Sequence, residues 1–332
     1  MFDLIGDIHG HAVELEELLR RMGYAHRAGA WRHAARTAVF VGDFLDRGPE
    51  IRATLRLVRD MLEAGSALAV LGNHEWNAFA FHQPDPDQPG EYLRRHFEKN
   101  VHQVAATLAQ VPAPELASHL AFLRTLPIRL ELPGIGGIGG IGGMGGTGGI
   151  GGIGGMGGLR VVHACWDEVA FGVIDEALAR HDGISEGFLV EGSNPESLLF
   201  AALEIVLKGK EMALPPGDSL VDKDGQRRVL ARVRWYAPTS GQTVASYALP
   251  FFPHLSPAPL PAKVVAEARP YPASAPPVFF GHYWLNDLAP AALAANVFCL
   301  DYSVAAGGFL CGYRLPSDAT SGDGGFVTVA SV

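Results

Sequence analysis

Three times in residues 1–75 an apolar strand runs into a glycine, a polar cluster follows, and a helical pattern comes next. Residues 2–5 lead into Gly6-Asp7-Ile8-His9-Gly10. Residues 37–41 lead into Gly42-Asp43-Phe44-Leu45-Asp46-Arg47-Gly48-Pro49. Residues 67–71 lead into Gly72-Asn73-His74-Glu75. Strands alternating with helices predict an α/β fold whose chemistry collects beyond the carboxyl ends of the strands. Helices are expected over 12–22, with apolar Val13, Leu15, Leu18, Leu19 and Met22, and over 50–64, with Ile51, Leu55, Val58 and Leu62.

The later chain is less regular. Residues 91–126 read as helical, broken near Pro112 and Pro114, and 196–208 as another helix. A polar turn is expected at Asp222-Lys223-Asp224-Gly225, then a strand from Val229 to Tyr236. Residues 237–277, rich in Pro, Ala and Ser, read as irregular. Strand character returns at 278–280, 297–300 and 309–315. The expected organisation is one domain over 1–332 with a cap-like insertion at about 167–275.

Residues 134–158 hold 17 glycines in 25 positions, in Gly-Gly-X triplets with X being Ile, Met or Thr. The 28 residues between Glu131 and Arg160 carry no charge, enough to span a bilayer. Glycine costs ~1 kcal/mol per residue in a helix relative to alanine, so a membrane helix is disfavoured there. The flanks 128–132 and 159–163 read as strands, making the tract an expanded hairpin loop. Closing it in place of a four-residue turn costs only ~1.6 kcal/mol. It is expected to be dispensable for chemistry. The alternative is an apolar stripe, since every third residue of an extended threefold helix falls on one edge.

Hydrophobic residues make up 48% of the 332, enough for a sizeable core, and the formal net charge is −9. That balance argues against gripping a nucleic-acid backbone. No basic-then-apolar leader opens the sequence, and three cysteines are too few for a disulfide framework. A reducing, cytoplasmic setting without membrane association is the expectation.

Each polar cluster joins a small residue to a hard or borderline metal ligand. Val162-His163-Ala164 and Gly281-His282 add two more histidines after apolar segments. Carboxylate, imidazole and amide oxygens suit manganese, iron or zinc rather than a thiolate-bound metal. Asp7 and His9 are two apart and share a side on extended chain. No Walker-type phosphate loop and no Ser- or Cys-centred nucleophile motif accompanies them.

These blocks resemble the calcineurin-like metallophosphoesterases, and within them the phosphoprotein phosphatase branch with its bacterial Ser/Thr phosphatases and diadenosine tetraphosphatases. GDxHG, GDxxDRG and GNHE all stand here uninterrupted, and Leu300 to Leu310, with Asp301 ahead of Gly307-Gly308, resembles the branch's closing segment. The resemblance covers about 1–80, 127–165 and 278–315. It implies a β-sandwich flanked by helices in four αββα layers.

It also implies roles. Asp7, His9 and Asp43 would hold one divalent metal. Asp43, Asn73, His163 and His282 would hold a second, with Asp43 bridging. Manganese comes first, with iron, zinc or nickel as alternatives. His74 would be the general acid, Asp46 its orienting partner, and Arg47, with Asn73, would bind the phosphate. One departure is Ala164-Cys165-Trp166, where the branch has glycines; Cys165 is either an extra ligand or a packing residue.

The chemistry follows from general principles. Two cations lower the pKa of a bridging water, and the resulting hydroxide attacks phosphorus in line. Arg47 offers a planar fork to two phosphate oxygens, and an imidazole supplies the leaving group's proton. The first reading is a phosphomonoesterase of the Ser/Thr phosphatase type. A dinucleoside polyphosphate hydrolase is the alternative, and a non-enzymatic metal-binding scaffold is disfavoured because no ligand position is missing. His33, His96, His102, His119, His181 and His254 read as surface or capping residues. Of Arg227, Arg228, Arg232 and Arg234, at least one could face the substrate.

Overall fold

The computed structural model describes residues 1–134, 158–221, 225, 227–316 and 324–332. Most of the Gly-Gly-X tract, 135–157, and the turn residues 222–224 lie outside them.

Strand β1 (Phe2–Ile5) leads to α1 (Ala12–Arg21), a hairpin β2 (Ala25–Arg27) and β3 (Ala30–Arg32), and β4 (Thr37–Phe40). Then come α2 (Ile51–Glu63), β5 (Ala67–Ala69) and α3 (Asn73–His82). Helices α4 (Glu98–Gln110) and α5 (Ala113–Leu123) precede the hairpin partners β6 (Arg129–Leu132) and β7 (Leu159–Val162). Helices α6 (Glu168–His181), α7 (Glu186–Ser193) and α8 (Leu198–Lys208) follow. Next are β8 (Glu211–Ala213), β9 (Leu220–Val221), β10 (Arg227–Arg228), β11 (Leu230–Arg232), α9 (Val244–Tyr247) and α10 (Ala262–Glu267). The described chain closes with β12 (Val278–Phe280), β13 (Val297–Cys299), β14 (Asp301–Tyr302), β15 (Phe309–Arg314) and β16 (Gly325–Ala330).

Two sheets form the centre. The first runs β14-β15-β1-β4-β5, with β16 on the other edge of β15. In it β1, β4 and β5 are parallel, and β15 is antiparallel to β1. The second runs β13-β12-β7-β6, parallel except for the β6–β7 hairpin, where Arg129 faces Val162 and Leu132 faces Leu159. The hairpin expected around the glycine tract is thus formed by its flanks.

Side chains alternate across each sheet, and this sets the layers. On β15, Gly312 faces Met22 just past α1, while Tyr313 faces the second sheet, 5.4 Å from Phe279 and 5.0 Å from Phe298 between ring centroids. Phe279 and Phe298 stack at 4.7 Å, and Phe326 on β16 joins them. Helices α1 and α2 cover the first sheet. Helices α6 and α8 pack together beside the second, where Arg129 of β6 lies over Phe171 of α6 at 4.3 Å. The α/β class and the helix–sheet–sheet–helix order follow the sequence expectation.

Several boundaries differ. The helix expected from 91 begins only at Glu98, and 83–97 is irregular. Pro112 caps α5 and Pro114 lies in its first turn, where a missing N–H costs nothing. The strand expected over 229–236 spans only Leu230–Arg232; beyond Val233 the chain turns, with the Trp235 N–H on the Val233 carbonyl and the Ala237 N–H on the Arg234 carbonyl, both at 2.8 Å. Helices α6 and α7 were not read from sequence, although their caps are orthodox. Asp167 accepts from the Ala170 N–H and Ser185 from the Phe188 N–H. Strand β16 was likewise not anticipated. Among the described residues, no helix is long and apolar enough to cross a membrane.

Candidate active site

The loops after β1, β4, β5, β7 and β12 meet at one end of the two sheets. They bring together Asp7, His9, Asp43, Asp46, Asn73, His74, His163 and His282, every one buried. Close approach of these loops needs missing side chains. A Cβ on Gly72 would stand 2.2 Å from Asp43 Oδ1, and one on Gly281 would stand 1.7 Å from Asp7 Oδ1. His9, Asp43, Asp46, Arg47 and His282 all have positive φ, from 46° to 73°. Such strain in non-glycine residues persists only where surrounding contacts over-determine it.

Those contacts are visible. The Glu75 carboxylate, fully buried, accepts from the N–H groups of Asp43 and Gly72 at 2.9 Å and of Phe44 at 2.8 Å. It ties the second loop to the third. Asp7 Oδ2 accepts from the His282 N–H at 2.9 Å. Asp301 accepts from the N–H groups of Trp284 at 2.8 Å and Ser303 at 3.0 Å, fixing the turn beyond His282. Glu75 was quoted in the sequence motif without a role; at the third position of α3 its carboxylate reaches back to the N–H of Gly72, which has no side chain to reciprocate.

Asp43 is the hub. Its Oδ1 accepts from the His74 N–H at 2.9 Å and lies 3.4 Å from His163 Nε2. Its Oδ2 lies 3.5 Å from His9 Nε2 and 3.9 Å from His74 Nε2. Asn73 Oδ1 stands 3.0 Å from His163 Nε2 and 2.6 Å from His282 Nδ1.

The proton positions give this cluster meaning. His163 Nδ1 donates to the Val41 carbonyl at 2.8 Å, and His9 Nδ1 donates to the Leu45 carbonyl at 3.1 Å. A carbonyl only accepts, so in each neutral ring the hydrogen is on Nδ1 and Nε2 is a bare lone pair. Both lone pairs face Asp43 oxygens. Asp7 Oδ1, His9 Nε2 and His282 Nε2 are buried with no hydrogen-bond partner. Lone pairs facing lone pairs in a dry pocket are unfavourable without positive charge between them. The sets His9–Asp43–His74 and Asp43–His163–His282 each bring ligand atoms within 4.8 Å, with Asp43 common to both. The residues therefore fit a pair of divalent cations.

Burial works against the Asp43 carboxylate, but His163 and His74 outweigh it and hold it well below the usual range. Burial opposes the charged His163 ring too, yet Asp43 pushes it up to about 10, so that without a cation a proton on Nε2 would supply the positive charge facing Asp43. Burial, then Asp301, pushes Asp7 well up, whereas burial pulls His9 and His282 well down.

His74 is set apart by a carboxylate. Its Nδ1 donates to Asp46 Oδ2 at 2.6 Å, and Asp46 Oδ1 accepts from the Thr107 hydroxyl at 2.6 Å. Burial opposes the imidazolium, but Asp43 and then Asp46 raise it above its ordinary value. Thr107 sits on α4, in a segment without any motif, and sequence reasoning missed it.

A cavity of about 670 Å³ opens over this cluster. Asp43, Arg47, Asn73, His74 and His282 form its floor, and Arg47 lies over the Trp284 ring at 4.9 Å. Arg228 and Arg232 line it; Arg227 and Arg234 do not. Cys165 is buried in the core, where burial pushes its thiol up, and it belongs to neither ligand group. Of the six histidines read as surface or capping residues, His119 is instead buried, 3.8 Å from Glu115.

The site is thus a set of buried His, Asp and Asn side chains gathered at one end of two packed sheets, two groups of which could each hold a cation. Residues 1–119 match the family described as calcineurin-like phosphoesterase. It is similar to an asymmetrical bis(5'-nucleosyl)-tetraphosphatase of Halalkalibacterium halodurans, 45% identical over 74 residues, 22% of this chain and 30% of the relative. A symmetrical bis(5'-nucleosyl)-tetraphosphatase of Shewanella baltica is 31% identical over 130 residues, 39% of each chain. The chain thus spans well under half the length of these relatives. Among solved structures, a protein serine/threonine phosphatase from Saccharomyces cerevisiae aligns with TM-score 0.48 and 12% identity, covering 100% of this chain and 80% of that one. A cold-active protein-tyrosine phosphatase of a psychrophilic Shewanella aligns with TM-score 0.43 and 14% identity, covering 100% and 80%.

Proposed function

We propose that this protein is a metal-dependent hydrolase of phosphate esters working through a binuclear centre. The reading is carried by one observation: two sets of buried ligand atoms share Asp43 beneath a cavity that also holds Arg47 and His74. Asp7, His9 and Asp43 would hold one ion, and Asp43, Asn73, His163 and His282 the other, with manganese the first candidate and iron, zinc or nickel the alternatives. Divalent ions in such a site supply charge neutralisation and a water acidic enough to lose a proton near neutral pH.

The chain's own residues do the rest. Asp46 holds the His74 ring by Nδ1, leaving Nε2 for the substrate. A charged His74 hands its proton to the leaving oxygen. Arg47, seated over Trp284, grips two phosphate oxygens as a planar fork, and Asn73 helps to orient the same group. The setting we propose is cytoplasmic.

The first substrate reading is a phosphomonoester such as a phosphorylated serine or threonine in a protein. A second, dinucleoside polyphosphate, is favoured by the cations around the cavity, Arg94, Lys99, Lys208, Lys210, Arg228 and Arg232 in addition to Arg47. They stand out in a chain of net charge −9.

Metal-loaded and chelator-treated protein should be assayed against a phosphopeptide, p-nitrophenyl phosphate and diadenosine tetraphosphate. Manganese is expected to raise hydrolysis of at least one of them by about 100-fold or more. Equal rates with and without metal, or no hydrolysis of any, would overturn the reading.

A further inference from the structure

The cations around the cavity are not equivalent. Lys208 pairs with Glu204, Lys210 with Asp167 at 2.6 Å, and Arg228 with Glu211 at 2.9 Å. Arg94 differs. It stands in the irregular segment between α3 and α4, with its N–H on the Ala80 carbonyl at 2.9 Å. His96, stacked on Phe81 and Tyr92 at 3.9 and 4.2 Å, pins the same segment. The Arg94 guanidinium donates to Asn77 Oδ1 at 3.2 Å and to Gln103 Oε1 at 2.8 Å, and its Nε is buried with no hydrogen-bond partner. Both partners are neutral amides, and among the described residues no carboxylate forms an ion pair with it.

A half-buried guanidinium is always charged and offers five donors. Held directly by neutral groups, with Asp46 and Glu204 acting on it only at longer range, it can meet an anion that enters the cavity. Gln103 gives its Oε1 to Arg94, so its Nε2 turns the other way, 3.4 Å from His74 Nδ1. Arg94 is therefore one side chain removed from His74, on the Nδ1 side of its ring, and it lines the same cavity. Arg47 is on the loop that carries Asp43.

We propose that Arg94 binds a second phosphate of the substrate, beside the scissile one, and so selects phosphoanhydride-bearing nucleotides over simple monoesters. Lys99, an exposed cation at the same cavity, adds long-range attraction. This rests on the phosphoester-hydrolase reading above.

The test compares one phosphate with two on one nucleoside. Adenosine 5'-monophosphate and 5'-diphosphate are titrated into metal-loaded protein by calorimetry, and both are measured as competitors of p-nitrophenyl phosphate hydrolysis. Wild type is expected to bind the diphosphate about 10–100-fold more tightly, the range of charge-assisted contacts. Arg94→Met should bring that ratio below about 3 while changing p-nitrophenyl phosphate turnover less than about 3-fold; Arg94→Lys should restore part of the ratio. If Arg94→Met does not fold, Arg94→Gln, which keeps an amide donor for Asn77 or Gln103, replaces it. A wild-type ratio near one, or a ratio unchanged in the variant, overturns the proposal. So does an equal loss on both ligands, which marks Arg94 as merely structural. Failure of the hydrolase reading is seen separately: no metal-dependent turnover of a phosphopeptide, p-nitrophenyl phosphate or diadenosine tetraphosphate, with the calorimetric ratio still deciding the role of Arg94.

Discussion

Asp43→Asn is expected to empty both cation positions together and to lower phosphate-ester turnover by about 10³-fold or more. Loss of a residue that merely orients a ligand already costs ~10–100-fold in metal affinity, and Asp43 is common to both ligand sets. Asparagine is the informative replacement. It keeps the volume, still offers an oxygen to the His74 N–H, and tolerates the left-handed backbone, φ 56° at this position. The Glu75 carboxylate still holds the backbone N–H. The fold should therefore survive while the negative charge is lost. Metal content by elemental analysis, beside a thermal melt, checks it. Retention of two ions per chain would contradict the shared-ligand account.

His74→Asn should leave metal content nearly unchanged and cost about 10²–10⁴ in turnover on an alkyl phosphate, the range for a positioned general acid. The loss should be smaller on p-nitrophenyl phosphate, whose leaving group scarcely needs a proton. Equal losses on both would count against the acid role. The pH profile carries the same signature. Asp43, and then Asp46, raise His74 against the effect of burial. Activity on alkyl esters should fall as pH rises through a value above the ordinary histidine range, because the proton to be donated is lost. Asp46→Asn removes one of the two carboxylates and should move that fall to lower pH.

The site was more legible in the sequence than the cavity above it. Asp7, Asp43, Asn73, His163 and His282 each lie within a few residues of a strand's carboxyl end. That position is set by local chain direction: an apolar run, a glycine, then a ligand. Parallel neighbours in a sheet place such ends together, so spacing along the chain foretold closeness in space. The helices at 12–21 and 51–63 were legible for the same reason, since their apolar faces repeat at helical spacing.

What was not legible depends on contacts between distant segments. Thr107 reaches Asp46 across 61 positions, from a helix with no motif. Gln103 and Arg94 belong to α4 and to an irregular loop whose path is set by His96 packing on Phe81 and Tyr92, and nothing periodic announces it. Glu75 was seen in the motif, but its grip on three backbone N–H groups needs the fold of the second loop. The strand expected to reach Tyr236 ends where the Trp235 N–H folds back on the Val233 carbonyl; a turn of that kind, among residues of strand character, is invisible to residue-by-residue pattern.

The central claim is that Asp43 is shared between two cation positions. A crystal grown with manganese, measured for anomalous scattering at the manganese edge, tests it most directly. The account predicts two peaks, one among Asp7, His9 and Asp43 and one among Asp43, Asn73, His163 and His282, each in contact with the Asp43 carboxylate. A single peak, or two peaks of which one does not touch Asp43, would contradict it.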